Sequence, residues 1–125
     1  MKNIQENKFS ISKRLRSFTY AFSGLKYTIR SQHNFRIHLG VGFIVVICGF
    51  VARLSSNEWC ILMLTIGLII SMEAMNTAIE KLVDFVSPDY QKQAGVVKDV
   101  AAGAVLIAAI TSVIIGVILF LPKII

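Results

Sequence analysis

The sequence WCILMLTIGLIISMEAMNTAI, at residues 59–79, is 21 residues long and contains one charged side chain, Glu73. An α-helix rises about 1.5 Å per residue, so roughly 20 apolar residues cross the 30 Å hydrocarbon core of a bilayer. This stretch therefore has the length and composition of a transmembrane helix, with one carboxylate placed inside it.

Two further apolar stretches lie at residues 37–52 and 100–122. The first is short, and we expect it to gain its missing turns from residues 34–36 and 53–55. Three such helices in 125 residues leave too little polar surface for a water-soluble fold. The sequence therefore predicts an all-α integral membrane protein whose three transmembrane helices lie at about residues 34–55, 58–82 and 98–121. The loop before the third helix is expected at residues 85–97, around the turn signal at Pro88.

The positive charge is concentrated at the N-terminus. The chain has 55% hydrophobic and 16% charged residues and a net charge of +6. Residues 1–36 contain eight basic residues and one acidic residue, a net charge of +7, whereas the remainder carries −1. A disordered acidic chain is excluded, and a basic but oily chain does not resemble a nucleic-acid module, so we expect no nucleic-acid partner.

Residues 1–33 form a basic segment that precedes the three-span domain of residues 34–125. Its apolar side chains recur at steps of three and four residues, the spacing of one helix face. These side chains are Leu15, Phe18, Phe22, Leu25 and Ile29. With lysine and arginine opposite them, the pattern predicts an amphipathic helix at the surface of anionic lipid. A helix that binds a partner protein would have a similar pattern.

The distribution of basic residues predicts the topology. Residues 1–36 and residues 80–99 together contain eleven Lys and Arg, whereas the opposite side has Arg53 and Lys123. The positive-inside rule therefore places the N-terminus in the cytoplasm.

A polar stripe interrupts the second apolar stretch. Glu73, Asn76, Glu80 and Asp84 follow one another at steps of three and four residues, so they lie within about 60° on one helix face. A carboxylate in the hydrocarbon costs at least roughly 2.5–3.5 kcal/mol. Helix packing through a hydrogen bond, proton coupling and binding of a divalent cation all remain open at this point.

The third apolar stretch begins after Lys98 and Asp99. Lys98 either anchors its helix at the lipid headgroups or lies opposite Glu80 and Asp84, where a cation and phosphate oxygens could meet. No P-loop motif occurs in the sequence, so any ATP would be bound in another way. His33 and His38 are expected to be solvated or to face headgroups.

The stretch from Glu73 to Asp84, EAMNTAIEKLVD, resembles the signature of the bacterial diacylglycerol kinase family, which includes the undecaprenol kinases. KDVAAGAV, which begins at Lys98, resembles the second motif of the family. The segments NFRIH at residues 34–38 and FLPK at residues 120–123 resemble its Gram-positive branch. The similarity runs from about residue 13 to residue 123.

The resemblance implies a homotrimer of three-span protomers with an N-terminal surface helix. The protein would lie in the inner membrane of a bacterial cell, with sites at the cytoplasmic interface shared between neighbours. The implied activity is Mg²⁺-dependent transfer of the γ-phosphoryl group of ATP to a lipid hydroxyl. Undecaprenol is the expected acceptor, and diacylglycerol is the alternative.

The resemblance also implies roles for individual residues. Glu73 is similar to the general base, and Asn76 supports the catalytic geometry. Glu80 resembles the carboxylate that holds the metal. Five further residues are implied to lie at the nucleotide, namely Lys13, Tyr20 at the adenine ring, Asp84, Lys98 and Asp99.

Gln32 departs from the family pattern, which has a glutamate at this position as the second metal ligand. An amide still offers one oxygen but removes a negative charge from a site for Mg²⁺. Either the protein works with the amide, or the substitution reduces turnover.

Two functions of other classes remain as alternatives. A small proton-coupled transporter would use Glu73 as its titrating carboxylate. A non-catalytic membrane adaptor would bind partners through its basic N-terminal segment.

Overall fold

The computed structural model describes residues 8–125, so the first seven residues of the predicted N-terminal segment lie outside it. This part of the chain folds into four α-helices: α1 (Ile11–Ser31), α2 (His33–Val51), α3 (Ser56–Val86) and α4 (Lys92–Ile124). The last three are long and apolar enough to cross a membrane. The predictions of an all-α chain and of three helices able to span a bilayer are confirmed.

A single residue separates α1 from α2. The hydroxyl of Ser10 accepts a hydrogen bond from the backbone N–H of Lys13 and caps the start of α1. At Gln32 the backbone is extended, with φ −121° and ψ 115°, although its N–H still donates to the carbonyl of Thr28. Because α2 begins at the next residue, Gln32 is the point where the chain changes direction.

The turn between α2 and α3 is built from residues 53–55, and the expectation that they extend the first span is wrong. Arg53 has φ 53°, which is outside the helical region, and Leu54 is buried. Ser55 then caps α3: its hydroxyl accepts from the N–H of Glu58 at 3.3 Å, and its own N–H donates to Glu58 Oε2 at 2.8 Å. This reciprocal capping fixes the start of α3.

Apolar side chains pack beneath this turn. Leu54, Leu62 and Leu119 form the buried cluster, and the ring centroids of Phe50 and Trp59 are 4.7 Å apart. Gly49 is required here, because a Cβ at this position would lie 2.8 Å from a ring carbon of Trp59. We call this part of the molecule the capped end.

Helices α3 and α4 form an antiparallel hairpin and make the most extensive packing in the chain. At the capped end, Lys123 Nζ lies 3.1 Å from Glu58 Oε2. At the opposite end, Lys98 pairs with Asp84. The connection between the helices covers only residues 87–91, which is shorter than the expected loop at 85–97, because α4 already begins at Lys92.

Pro88 explains where α3 ends. A proline disfavours helical backbone at the residue before it, and Ser87 has φ −133° and ψ 77°. The outer faces of the helices carry large apolar side chains, such as Phe43, which is 69% exposed, and Leu64, which is 75% exposed. Such surfaces suit contact with lipid or with another apolar chain better than contact with water.

Candidate functional site

The polar stripe of α3 lies along one side of the helix near its C-terminal half. Asn76 Nδ2 donates to Glu80 Oε1 at 3.4 Å, as expected for two side chains four residues apart. The other amide atom of Asn76, Oδ1, is buried and has no hydrogen-bond partner within residues 8–125. A buried acceptor of this kind is costly unless something donates to it, so it marks a place where a ligand group can bind.

Glu73 is the buried member of the stripe, with 4% of its surface exposed. Its carboxylate oxygen Oε1 lies 3.1 Å from Nε2 of His38 on α2. Its backbone carbonyl additionally accepts from the hydroxyl of Thr77 at 2.9 Å. The carboxylate is therefore held between two helices, which is the environment that a titratable group inside a membrane requires.

The expectation that both histidines are solvated or face headgroups is wrong for His38, which contacts the buried Glu73. His33 is exposed, and its Nδ1 lies 2.7 Å from an Arg36 guanidinium nitrogen. The side chain of His38 is only 24% exposed, because the packing of α2 on α3 turns it toward Glu73. Its one signal in the sequence is its position inside the first apolar stretch, two residues after Arg36.

At the end of the hairpin, the structure brings Lys98 to Asp84. Lys98 Nζ contacts Asp84 Oδ1, with 40% of the lysine and 59% of the aspartate side chain exposed. These two residues are 14 positions apart in the chain and meet because the connecting loop is short. We call the region formed by Asn76, Glu80, Asp84 and Lys98 the polar end of the hairpin.

The other predicted site residues lie on α1, at the α1–α2 junction and on α4. Lys13 and Tyr20 lie on the exposed surface of α1, and Tyr20 is 72% exposed. Gln32 is half-buried at the α1–α2 junction, and Asp99 is exposed beside Lys98 on α4. Within residues 8–125, the structure shows no side-chain hydrogen bond or ion pair from these four residues to the stripe of α3.

One contact between α1 and α3 was missed by sequence reasoning. Lys81 Nζ lies 5.5 Å from the ring centroid of Tyr27, over its aromatic face. Such a cation–π contact joins α1 to the helix that carries the stripe. Nothing in the spacing of the two residues indicates it, because it depends on the angle between α1 and α3.

The side chains present suit a bound magnesium ion only in part. In the described part of the chain, no three His, Cys, Asp or Glu side chains lie close enough together to hold a metal. Mg²⁺, however, commonly uses one or two carboxylates and completes its shell with water and substrate phosphates. Glu80 supplies one such carboxylate, and its recorded side-chain partner within residues 8–125 is the amide of Asn76.

An apolar groove runs between α2, α3 and α4. Its volume is about 350 Å³, and it is lined by residues between 37 and 45 of α2, 62 and 69 of α3, and 109 and 120 of α4. His38 belongs to this lining, so the groove ends next to the buried carboxylate of Glu73. A hydrocarbon chain lying in the groove would therefore reach the most deeply placed charged group of the stripe.

Comparison with known proteins also indicates a lipid kinase. The family model of the prokaryotic diacylglycerol kinases matches residues 19–120. The chain is 40% identical to an undecaprenol kinase of Bacillus subtilis over 119 residues, which cover 95% of this chain and 97% of the relative. It is also 40% identical to a diacylglycerol kinase of Synechocystis, over 97% of this chain and 70% of the relative.

A more distant relative is the diacylglycerol kinase of Escherichia coli K12, which is 26% identical over 89% of this chain and 91% of its own length. These relatives are kinases that act on lipids, which favours the kinase over the transporter and adaptor hypotheses. The prediction of a membrane lipid kinase is confirmed, and the chain belongs to the prokaryotic diacylglycerol kinase family.

Proposed function

We propose that this protein transfers the γ-phosphoryl group of ATP to the hydroxyl of a membrane lipid alcohol, with undecaprenol as the first acceptor and diacylglycerol as the second. The observation that carries the proposal is the buried carboxylate of Glu73, which lies at the end of an apolar groove and on the same helix face as Asn76 and Glu80. The groove suits the lipid, and the polar face suits the phosphates and their metal.

The depth of Glu73 in the membrane supports this arrangement. Glu73 lies 17 residues after Ser56, the first residue of α3, which corresponds to about 26 Å of helix. If the hydrocarbon core of roughly 30 Å begins at Ser56, Glu73 lies just inside it. Glu80 and Asp84 then lie beyond it, in the headgroup region. A lipid hydroxyl and a water-soluble nucleotide can meet only at such a boundary.

In the proposed reaction, Glu73 accepts the proton of the lipid hydroxyl as general base, and Asn76 keeps the reacting groups aligned. Lys98 neutralises negative charge on the phosphate oxygens, with Asp84 and Asp99 orienting it and the nucleotide. Glu80, with Gln32 as a weaker oxygen ligand, would hold Mg²⁺, which would supply positive charge to neutralise the phosphates. Phosphoryl transfer asks mainly for such alignment and charge neutralisation.

The active form is proposed to be a homotrimer whose sites are shared between neighbours. Two observations support sharing: residues 8–125 of one chain contain no cluster of three metal ligands, and Lys13 and Tyr20 are exposed on α1. In a trimer, the adenine contact of Tyr20 and the basic side chain of Lys13 would be contributed across a protomer boundary.

The division of the chain into a segment of residues 1–33 and a three-span domain of residues 34–125 is kept in this proposal. Helix α1 lies on the cytoplasmic leaflet of the bacterial inner membrane, with its basic residues on anionic lipid. The exposed apolar side chains of α1, such as Phe18 and Phe22, support that location, because they would be unfavourable in contact with water.

Undecaprenol is placed first because the match to the undecaprenol kinase covers nearly the full length of both chains. The test is a panel of acceptors with labelled ATP in detergent micelles: undecaprenol, diacylglycerol and a short-chain alcohol, each with and without Mg²⁺. We expect Mg²⁺-dependent label in undecaprenol at the highest kcat/KM. A higher value for diacylglycerol would reverse the order of acceptors, and no label in any lipid would contradict the proposal.

Two variants extend the panel. Glu73→Gln should lower turnover by roughly 10²- to 10⁴-fold, the usual contribution of a general base, while the helical circular dichroism signal is retained. Gln32→Glu should increase turnover at low Mg²⁺, since it adds a second carboxylate. Unchanged Mg²⁺ dependence in Gln32→Glu would remove Gln32 from the metal site. Proton-driven efflux from proteoliposomes without ATP would instead support the transporter.

A further inference from the structure

His38 has no assigned role in the reaction, yet it makes the one side-chain contact that the structure shows for the carboxylate of Glu73 within residues 8–125. The Nε2–Oε1 distance is 3.1 Å, and the side chain of Glu73 is 5% exposed. A buried carboxylate is strongly destabilising unless a donor or a positive charge compensates it. With its proton on Nε2, the imidazole of His38 can supply such a donor at this distance.

The packing of α2 on α3 is shaped so that this contact can form. Gly42 lies one turn after His38 on α2, and a Cβ at Gly42 would already lie 3.3 Å from a methyl carbon of Ile66 on α3. Phe35, one turn before His38, is 2% exposed and fixes the start of α2. The approach of the two helices, and with it the position of the imidazole, is therefore tightly constrained.

The contact engages one carboxylate oxygen and leaves the other available. The terminal torsion of a glutamate side chain is broad, so an unsupported carboxylate would sample many orientations. A general base must hold its acceptor atom within roughly 2.6–3.2 Å of the group that gives up the proton. The contact at Oε1 restricts the orientations of the carboxylate and leaves Oε2 as the oxygen that can accept the proton of the incoming hydroxyl.

We propose that His38 is a positioning residue of the phosphoryl-transfer site, which orients Glu73 toward the hydroxyl of a lipid lying in the groove between α2, α3 and α4. This inference rests on the proposed role of Glu73 as general base. Because His38 itself lines the groove, the imidazole can contact both the lipid in the groove and the carboxylate of Glu73.

The proton balance of the step leaves His38 unchanged. The hydroxyl proton moves to Oε2 of Glu73 while the hydroxyl oxygen forms its bond to the γ-phosphorus. The bond between the γ-phosphorus and the β,γ-bridging oxygen breaks, and ADP leaves with that electron pair. His38 keeps its Nε2 proton throughout, which distinguishes a positioning residue from a second acid or base.

The test compares a substitution that removes the donor with one that retains it. His38→Met has a side chain of similar size but no donor, and we expect its kcat to fall about tenfold, which corresponds to roughly 1.4 kcal/mol of transition-state stabilisation. The KM values for ATP and for the lipid should stay within about twofold. His38→Gln can still donate from an amide nitrogen, so it should recover most of the lost kcat.

His33→Met is the matched control, because His33 is the other histidine of the chain and is exposed. Its kcat should stay within about twofold of the parent. A double-mutant comparison tests whether His38 acts through Glu73. In a Glu73→Asp background the shorter side chain no longer reaches the imidazole. Adding His38→Met to that background should therefore lower kcat by less than twofold.

The outcomes separate this inference from the proposed function. Full kcat in His38→Met, together with an inactive Glu73→Gln, would overturn the positioning role and leave the kinase proposal intact. A loss that His38→Gln does not recover would show that His38 matters only for packing. An active Glu73→Gln would overturn the assignment of the base itself.

Discussion

The two ends of the α3–α4 hairpin are each closed by one ion pair, but their surroundings differ. At the capped end, Glu58 has three polar partners. Its carboxylate pairs with Lys123 and accepts from the N–H of Ser55, and its backbone N–H donates to the hydroxyl of Ser55. At the polar end, Lys98 and Asp84 are more exposed, and Asn76 has a buried oxygen that finds no partner in the described part of the chain. The polar groups of the capped end have partners within one chain, whereas the polar end has groups that can still bind a ligand.

This difference separates stability from function. Polar groups at the capped end already have their partners, so their contribution is to fix the start of α3 and the end of α4. The polar end includes three residues of the stripe, and its Asn76 oxygen is a free acceptor within residues 8–125. The two ion pairs are of the same chemical type, and their neighbours distinguish them.

The largest expected effect comes from breaking the two ion pairs separately. Lys98→Met should lower kcat/KM for ATP by about 10²-fold, because a positioned cation at a developing negative charge contributes that order of transition-state stabilisation. Lys123→Met is the matched control, and its kcat/KM should stay within about twofold. Equal losses in the two variants, measured by the labelled-phosphate assay, would contradict the division between the ends.

A smaller effect, confined to stability, is expected at the capped end. In Gly49→Ala the new methyl group must displace Trp59 or Leu54, which lie 2.8 and 3.1 Å from the position of its carbon. Overpacking of this kind costs about 1–3 kcal/mol. Gly40→Ala on the same helix meets nothing within 4 Å and serves as control.

The measurement for both alanine variants is unfolding by sodium dodecyl sulfate in mixed micelles, followed by circular dichroism. Gly49→Ala should unfold at a lower detergent fraction than Gly40→Ala, with kcat unchanged at low temperature. If Gly49→Ala matched Gly40→Ala in stability, Trp59 would have room to move and the capped end would be less tightly packed than its distances indicate.

Much of this architecture is readable from the sequence because the membrane imposes simple rules. The apolar stretch that contains Glu73 is long enough to cross a bilayer, and the three- and four-residue steps of the stripe dictate one helix face. The pairing of Lys98 with Asp84 was one of two possibilities that the sequence left open, since Lys98 could instead anchor its helix at the headgroups.

What could not be read depends on the relative placement of helices. His38 appears as a lone histidine near a headgroup region, and only the rotation of α2 against α3 brings it to Glu73. The contact of Tyr27 with Lys81 likewise depends on the bend at Gln32, which sequence spacing does not encode. The sequence predicted the end of α2 too late, because the helix propensities of residues 53–55 do not mark a break. The capping by Ser55 and the burial of Leu54 instead fix a turn there.

The smallest expected effect is on the KM for the lipid. It tests whether the groove connects the capped end of the hairpin with the polar end. Gly116 on α4 lines the groove, and a Cβ there meets nothing within 4 Å, so Gly116→Leu fills the groove without disturbing the backbone. We expect the KM for the lipid acceptor to rise about fivefold, equivalent to roughly 1 kcal/mol, with the KM for ATP unchanged. The gain in helix propensity offsets any loss of stability.

Gly67→Leu on α3 is the control, since Gly67 is exposed, has the same open space and lies outside the groove. The two variants add the same side chain to the membrane-spanning part of the protein, so a difference between them reports the groove alone. A lipid KM that rises equally in both would mean that the acceptor reaches Glu73 by another path. A rise in the lipid KM only in Gly116→Leu would show that a residue near the capped end controls access of the lipid to the site. The lipid itself, lying in the groove, would then extend from the capped end to Glu73.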